Sequence, residues 1–155
     1  QLSEELLLDA LDSEALYSIV GGIKPVSEGF FGTHISVDPP DLKELDRVRE
    51  ALSAWRCGQQ FQAGVLVFQN LHQQQRYASA WIANRSQLKR MLAQQQAFFG
   101  RLGLGPDTPA AEVLLNVERS PDSAERWRGF GHLFGYPEPA IDFFVKAGVH
   151  QAQTG

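Results

Sequence analysis

Gly21, Gly22, Lys24, Ser27, Glu28, Gly29 and Gly32 crowd the chain just before His34. Glycine frees the backbone so that successive N–H groups can converge on one spot, and a lysine beside them adds positive charge; such a loop suits an anion or a polar ligand. The spacing is not GxxxxGK[ST], so it is not a nucleotide phosphate loop. A second glycine run, Gly129-Phe130-Gly131-His132-Leu133-Phe134-Gly135, follows an apparent helix and has its third glycine one residue late for a dinucleotide fingerprint. It reads as close helix packing with a glycine stop.

The four histidines, His34, His72, His132 and His150, form no HExxH and no i, i+4 pair on a helix, so no bound metal is expected. No GxSxG elbow is present, and Ser27 and Ser36 are neighbours of His34 in sequence only, so no catalytic residue is assigned. No cofactor motif is found either. The single cysteine, Cys57, excludes an internal disulfide and is expected as a small apolar residue at a helix end. Arg85, Lys89 and Arg90 form a basic cluster that reads as a solvated helix face. Trp127, Phe130, Phe134, Tyr136, Phe143 and Phe144 crowd the last third of the chain. Adjacent Phe143 and Phe144 cannot face the same way on a helix, so one is expected to line a pocket or a partner surface.

These residues need elements to hold them. Leu2, Leu6, Leu7, Ala10 and Leu11 recur at helical spacing, and Gly21-Gly22 ends a second short helix. Phe30 to Val37 alternates like a strand, with Phe31, Thr33, Ile35 and Val37 on one face and His34 and Ser36 on the other. Leu42, Leu45, Val48, Leu52 and Trp55 make the clearest amphipathic helix. Phe61–Gln69 and Tyr77–Ala83 read as an antiparallel hairpin around a polar loop, Asn70–Arg76. Ser86, Thr108-Pro109 and Ser120-Pro121 look like starts of further helices. A last helix opens at Pro137-Glu138-Pro139, ends near Gly148, and leaves a frayed tail from about residue 149.

The expected fold is therefore α+β: one domain over 1–155, with a small antiparallel sheet of about three strands, including the 61–83 hairpin, carrying several helices on one face. The other face is expected to stay open, and His34 with it. The expected ligand site is Lys24, Ser27, Glu28, Phe30 and His34, joined by Phe130, His132 and Tyr136. In it, His34 and the Lys24–Gly32 loop line the principal pocket.

A formal charge of −4 gives no electrostatic footprint for nucleic acid. The longest apolar runs are far too short for a transmembrane helix, so no membrane insertion is expected. The sequence opens at Gln1, its only methionine is Met91, and four lysines stand against fourteen glutamines. These features point to an exported chain, a trimmed cytoplasmic one being the alternative. The leading functional expectation is a binding or sensory module for a small molecule or peptide. One alternative is a hydrolase-like enzyme around the Gly21–His34 loop and His132, and another is a structural protein–protein interaction domain.

Overall fold

The computed structural model describes residues 1–55 and 59–154, apart from the side chains of Ala152 and Gln153. Cys57 lies outside the described residues. In chain order the elements are α1 (Leu2–Leu11), α2 (Ala15–Ile19), β1 (Val26–Ser36), α3 (Lys43–Ser53), β2 (Phe61–His72), β3 (Gln75–Asn84), α4 (Arg85–Gln94), α5 (Gln96–Phe99), a single 3₁₀ turn (Gly100–Leu102), α6 (Ala110–Glu118), α7 (Ser123–Leu133) and α8 (Glu138–Thr154). The fold is α+β, with a three-stranded antiparallel sheet in the order β1-β3-β2. No helix among the described residues is long and apolar enough to cross a membrane.

The 61–83 hairpin is present, with strands longer than the alternation suggests. His72 pairs with Gln75, and the turn is only Gln73-Gln74, both at positive φ (49° and 60°). That left-handed pair matches the right-handed twist of the strands it joins. The polar stretch expected as a loop is thus mostly strand.

Helices cover both faces of the sheet, not one. Val26, Leu66, Trp81 and Ala83 face a layer made by α4–α7, whose Leu92, Phe99, Val113, Leu114, Val117 and Leu133 complete the larger core. Phe30, Ala80 and Ile82 face α1 and α3, through Leu6, Ala10, Val48 and Leu52, and Ile35 and Ala78 meet Leu45 there. The cause lies in the central strand. Ala78 to Asn84 is buried at every position, and small or apolar side chains on both sides of a strand require cover on both sides.

Both outer strands shift register, β1 between Glu28 and Gly32 and β2 between Val67 and Leu71. Gly29, at φ 92°, takes up the β1 bulge, a conformation that side chains resist. The bulge lets Phe30 and Phe31 both reach the α1/α3 layer, although neighbours in a regular strand point opposite ways.

Three helix starts differ from expectation by one or two residues. Asn84, not Ser86, caps α4: its Oδ1 accepts from the Gln87 N–H at 3.2 Å and from the Ser86 hydroxyl at 2.8 Å. Asp122, not Ser120, caps α7, accepting from the Ala124 N–H at 2.7 Å. Pro109 takes the cap position of α6, while Thr108 Oγ1 accepts from the Gly105 N–H at 2.9 Å. The Asn84 and Asp122 side chains each satisfy free N–H groups at a helix start, whereas Pro109 makes no side-chain cap. The last helix runs through Gly148 to Thr154 rather than ending there.

A candidate ligand site between the last two helices

The α7–α8 turn follows directly from Gly135. At φ 73° it ends α7 with two bonds: the Gly135 N–H donates to His132 O and the Tyr136 N–H to Gly131 O, both at 3.0 Å. This is the Schellman pattern, in which a left-handed residue satisfies the last free carbonyls. Pro137 then supplies the carbonyl that accepts from Ala140 and Ile141 N–H, and α8 begins.

The two helices approach closely where one of them is bare. A Cβ on Gly131 would stand 2.8 Å from Ile141 Cγ1, and one on Gly148 would overlap the Trp127 indole. Gly129 seats against Val117 of α6 in the same way. The glycine run is thus packing, as its spacing suggests, and carries no nucleotide loop. Around the α7–α8 contacts, Trp127, Phe130, Phe134, Tyr136, Ile141 and Phe144 line a groove of ≈ 410 Å³. Phe144 is 59% exposed, and Phe143, turned away from the groove, is 68% exposed.

A charged clasp holds the two helices together. Arg128 Nη1 donates to Glu138 Oε1, and Arg128 Nη2 donates to Asp142 Oδ1 at 2.5 Å. Arg128 holds the Asp142 carboxyl below the ordinary carboxylate range, chiefly through this hydrogen bond. His132, one turn along α7, is buried against the rings of both Phe98 and Phe99 (centroids at 5.6 and 5.9 Å). Its Nε2 lies 3.9 Å from Glu138 Oε2. Burial pushes its pKa below the usual value, Glu138 opposes that shift, and Arg128 adds to it.

A second, smaller cleft of ≈ 210 Å³ adjoins the turn. Ile23 and Pro25, from the approach to β1, meet Gln87, Arg90 and Gln94 of α4 there, together with His132 and Tyr136. Tyr136 lines both cavities. Lys24 closes in from the other side: its Nζ is 2.5 Å from Glu14 Oε2, and lies 5.6 Å and 6.0 Å from the ring centroids of Tyr17 and Tyr136. This is cation–π distance.

The sequence-predicted residues therefore divide. Lys24, Phe130, His132 and Tyr136 gather around the α7–α8 turn. Ser27 is buried, its hydroxyl 2.7 Å from that of Ser18 and donating to Glu14 O at 3.2 Å. Phe30 is core, stacked on Trp55 at 5.7 Å. Glu28 faces the larger core, where its Oε2 has no hydrogen-bond partner among the described residues. Burial, and secondly the charge of Glu118, push its pKa up to about 7. Glu118 is itself buried, its Oε1 accepting from the Gln69 N–H at 2.7 Å.

His34 does not share a pocket with Lys24–Gly32 or with the aromatics of 129–136. It lines a separate, shallow concavity with Asp41, Lys43, Glu44 and Arg47. A row of rings separates it from the groove: His34 to Tyr77 at 5.3 Å, Tyr77 to Phe68 at 5.8 Å, Phe68 to Phe130 at 6.1 Å. The segment before it is also strand from Val26 onward rather than the loop expected. Four groove side chains were not among the expected site residues: Trp127, Phe134 and Phe144, which had a signal in the excess of aromatics, and Ile141, which had none. Ile23 and Gln87 had none, because only the fold brings them to the cleft.

Among the described residues no group of three or more His, Cys, Asp or Glu is placed to hold a metal. Comparison of the chain with protein-family models, with curated proteins and with solved structures gives no match.

Proposed function

We propose that this chain is a binding module that takes the apolar part of a small molecule into the groove between α7 and α8. One observation carries the reading: six aromatic or aliphatic side chains surround ≈ 410 Å³ of space on the outer side of the domain. Small-molecule sites typically span about 300–1,000 Å³ and are lined mostly by apolar and aromatic groups. Aromatic rings supply large contact areas with little rotamer freedom to lose.

Titration with 1-octanol tests this. We expect a saturable change in tryptophan fluorescence, with its amplitude largely lost in Trp127→Phe while calorimetry still detects binding. Trp81 is buried away from the groove and Trp55 stacks on Phe30 in the opposite layer, so Trp127 is the reporter. No saturable binding of the alcohol by calorimetry overturns the reading.

A further inference from the structure

We propose that the molecule bound in the α7–α8 groove is amphipathic and carries an anionic head, a carboxylate or phosphate, which Arg90 holds in the cleft on the other side of Tyr136. The inference rests on the groove being an apolar ligand site, and it names the chemical class that site takes.

The two cavities are neighbours with opposite chemistry. The groove has no charged lining residue, and Tyr136 brings its only side-chain polar atom, apart from the Trp127 indole N–H. The cleft is lined by Arg90 and by the amides of Gln87, Gln94 and Gln95. Successive residues of α7 serve the two sides, Gly131 the groove and His132 the cleft. A single molecule lying across Tyr136 therefore meets an apolar wall at one end and hydrogen-bond donors at the other.

The charges around the cleft favour an anion. Gln87, Arg90 and Gln94 sit three and four residues apart, so one face of α4 presents them together. Arg90 forms no ion pair among the described residues. Lys24, with Glu14, stands against Tyr136. Glu138, 3.9 Å from His132 Nε2, is engaged by Arg128. A guanidinium offers planar, forked donors that match a carboxylate or phosphate, and the neighbouring glutamine amides can add further N–H donors.

The experiment compares four ligands of one chain length by calorimetry: octanoate, octyl phosphate, 1-octanol and octylammonium. Wild-type protein should bind at least one of the two anions about tenfold more tightly than 1-octanol, the scale of one added charge-assisted hydrogen bond. Octylammonium should bind most weakly. Arg90→Gln should reduce the ratio of anion to 1-octanol affinity to about one, whereas Arg90→Lys should keep part of the preference. The ratio of octanoate to octyl phosphate distinguishes the two heads.

Saturable 1-octanol binding without a preference for either anion overturns the anionic head and leaves the groove reading standing. A preference that survives Arg90→Gln overturns the role of Arg90. Absence of binding by all four ligands overturns both readings. The octylammonium comparison is made on wild-type protein, so it decides the sign of the site even if a variant fails to fold.

Discussion

Two tryptophans each lie over a glycine, and only one of them is sealed. Trp81 sits on Gly64 of the neighbouring strand, where a Cβ would stand 2.7 Å from its Cζ2. It is 3% exposed beneath α4–α7. Trp127 sits on Gly148 across the helical hairpin, yet it is 37% exposed. The local device is the same: a missing side chain lets an indole lie flat on backbone. The difference is a second layer. The sheet has helices outside Trp81, whereas Trp127 on α7 and Phe144 on α8 both stay partly exposed. Filled space becomes core, and unfilled space lined by the same residue types becomes a groove.

The largest effect should fall on the sealed side. Trp81→Ala removes a buried indole from contact with Leu66, Val26 and the α4–α7 layer and should cost about 3–5 kcal/mol of stability. Urea denaturation checks this. A loss below 1 kcal/mol would mean that the two tryptophans do not differ as described.

The sealed side also contains its own weak point. Glu28 and Glu118 bring two carboxyls into the larger core, one on the β1 bulge and one on α6. The folded chain holds the Glu28 proton up to about pH 7, while its ordinary value is 4.5. Between those values the folded state binds more protons than the unfolded state, so stability falls as pH rises and levels off above 7. Glu28→Gln removes the titration. Its stability relative to wild type should grow between pH 5 and pH 8 by roughly 2–3 kcal/mol. Denaturant midpoints at the two pH values measure it. An advantage that does not change with pH would place the Glu28 titration elsewhere.

The same contrast marks what was readable from the chain. The hairpin was legible because Val65–Phe68 is a run of apolar, mostly β-branched or aromatic residues and Tyr77–Ala83 is a second, largely apolar stretch across a short polar segment. The amphipathic α3 was legible from Leu45, Val48 and Leu52. The second covered face was present in the sequence but underweighted: Ala78-Ser79-Ala80-Trp81-Ile82-Ala83 has no strongly polar side. The Gln73-Gln74 turn gave no signal, since glutamine is a poor marker for left-handed backbone. Of the residues expected to share a site, Lys24, Phe130, His132 and Tyr136 do come together at the α7–α8 turn, because glycine-rich segments and spare aromatics mark helix ends and close crossings. His34 was misplaced because strand parity decides a face, not a position along it. It lies on the sheet face that the α4–α7 layer covers, but towards the strand end, where charged residues of the β1–α3 connection and α3 form the concavity.

The smallest stability effect, and the sharpest test of the contrast, belongs to Phe144. Truncating a large aromatic in a sealed core costs several kcal/mol because buried area is lost and a cavity remains. Phe144 is 59% exposed, and its ring contacts are Tyr136 at 6.2 Å and Phe143 at 5.9 Å, both themselves exposed. Little of its surface is withdrawn from water on folding, so Phe144→Ala should change stability by less than about 1 kcal/mol. The same ring forms one wall of the groove. Its removal should therefore weaken 1-octanol binding about fivefold to tenfold, since about 1 kcal/mol of apolar contact with the ligand is lost. Denaturation and calorimetry on one variant separate the two quantities. A large stability loss would make Phe144 part of the core, and unchanged octanol affinity would remove it from the site.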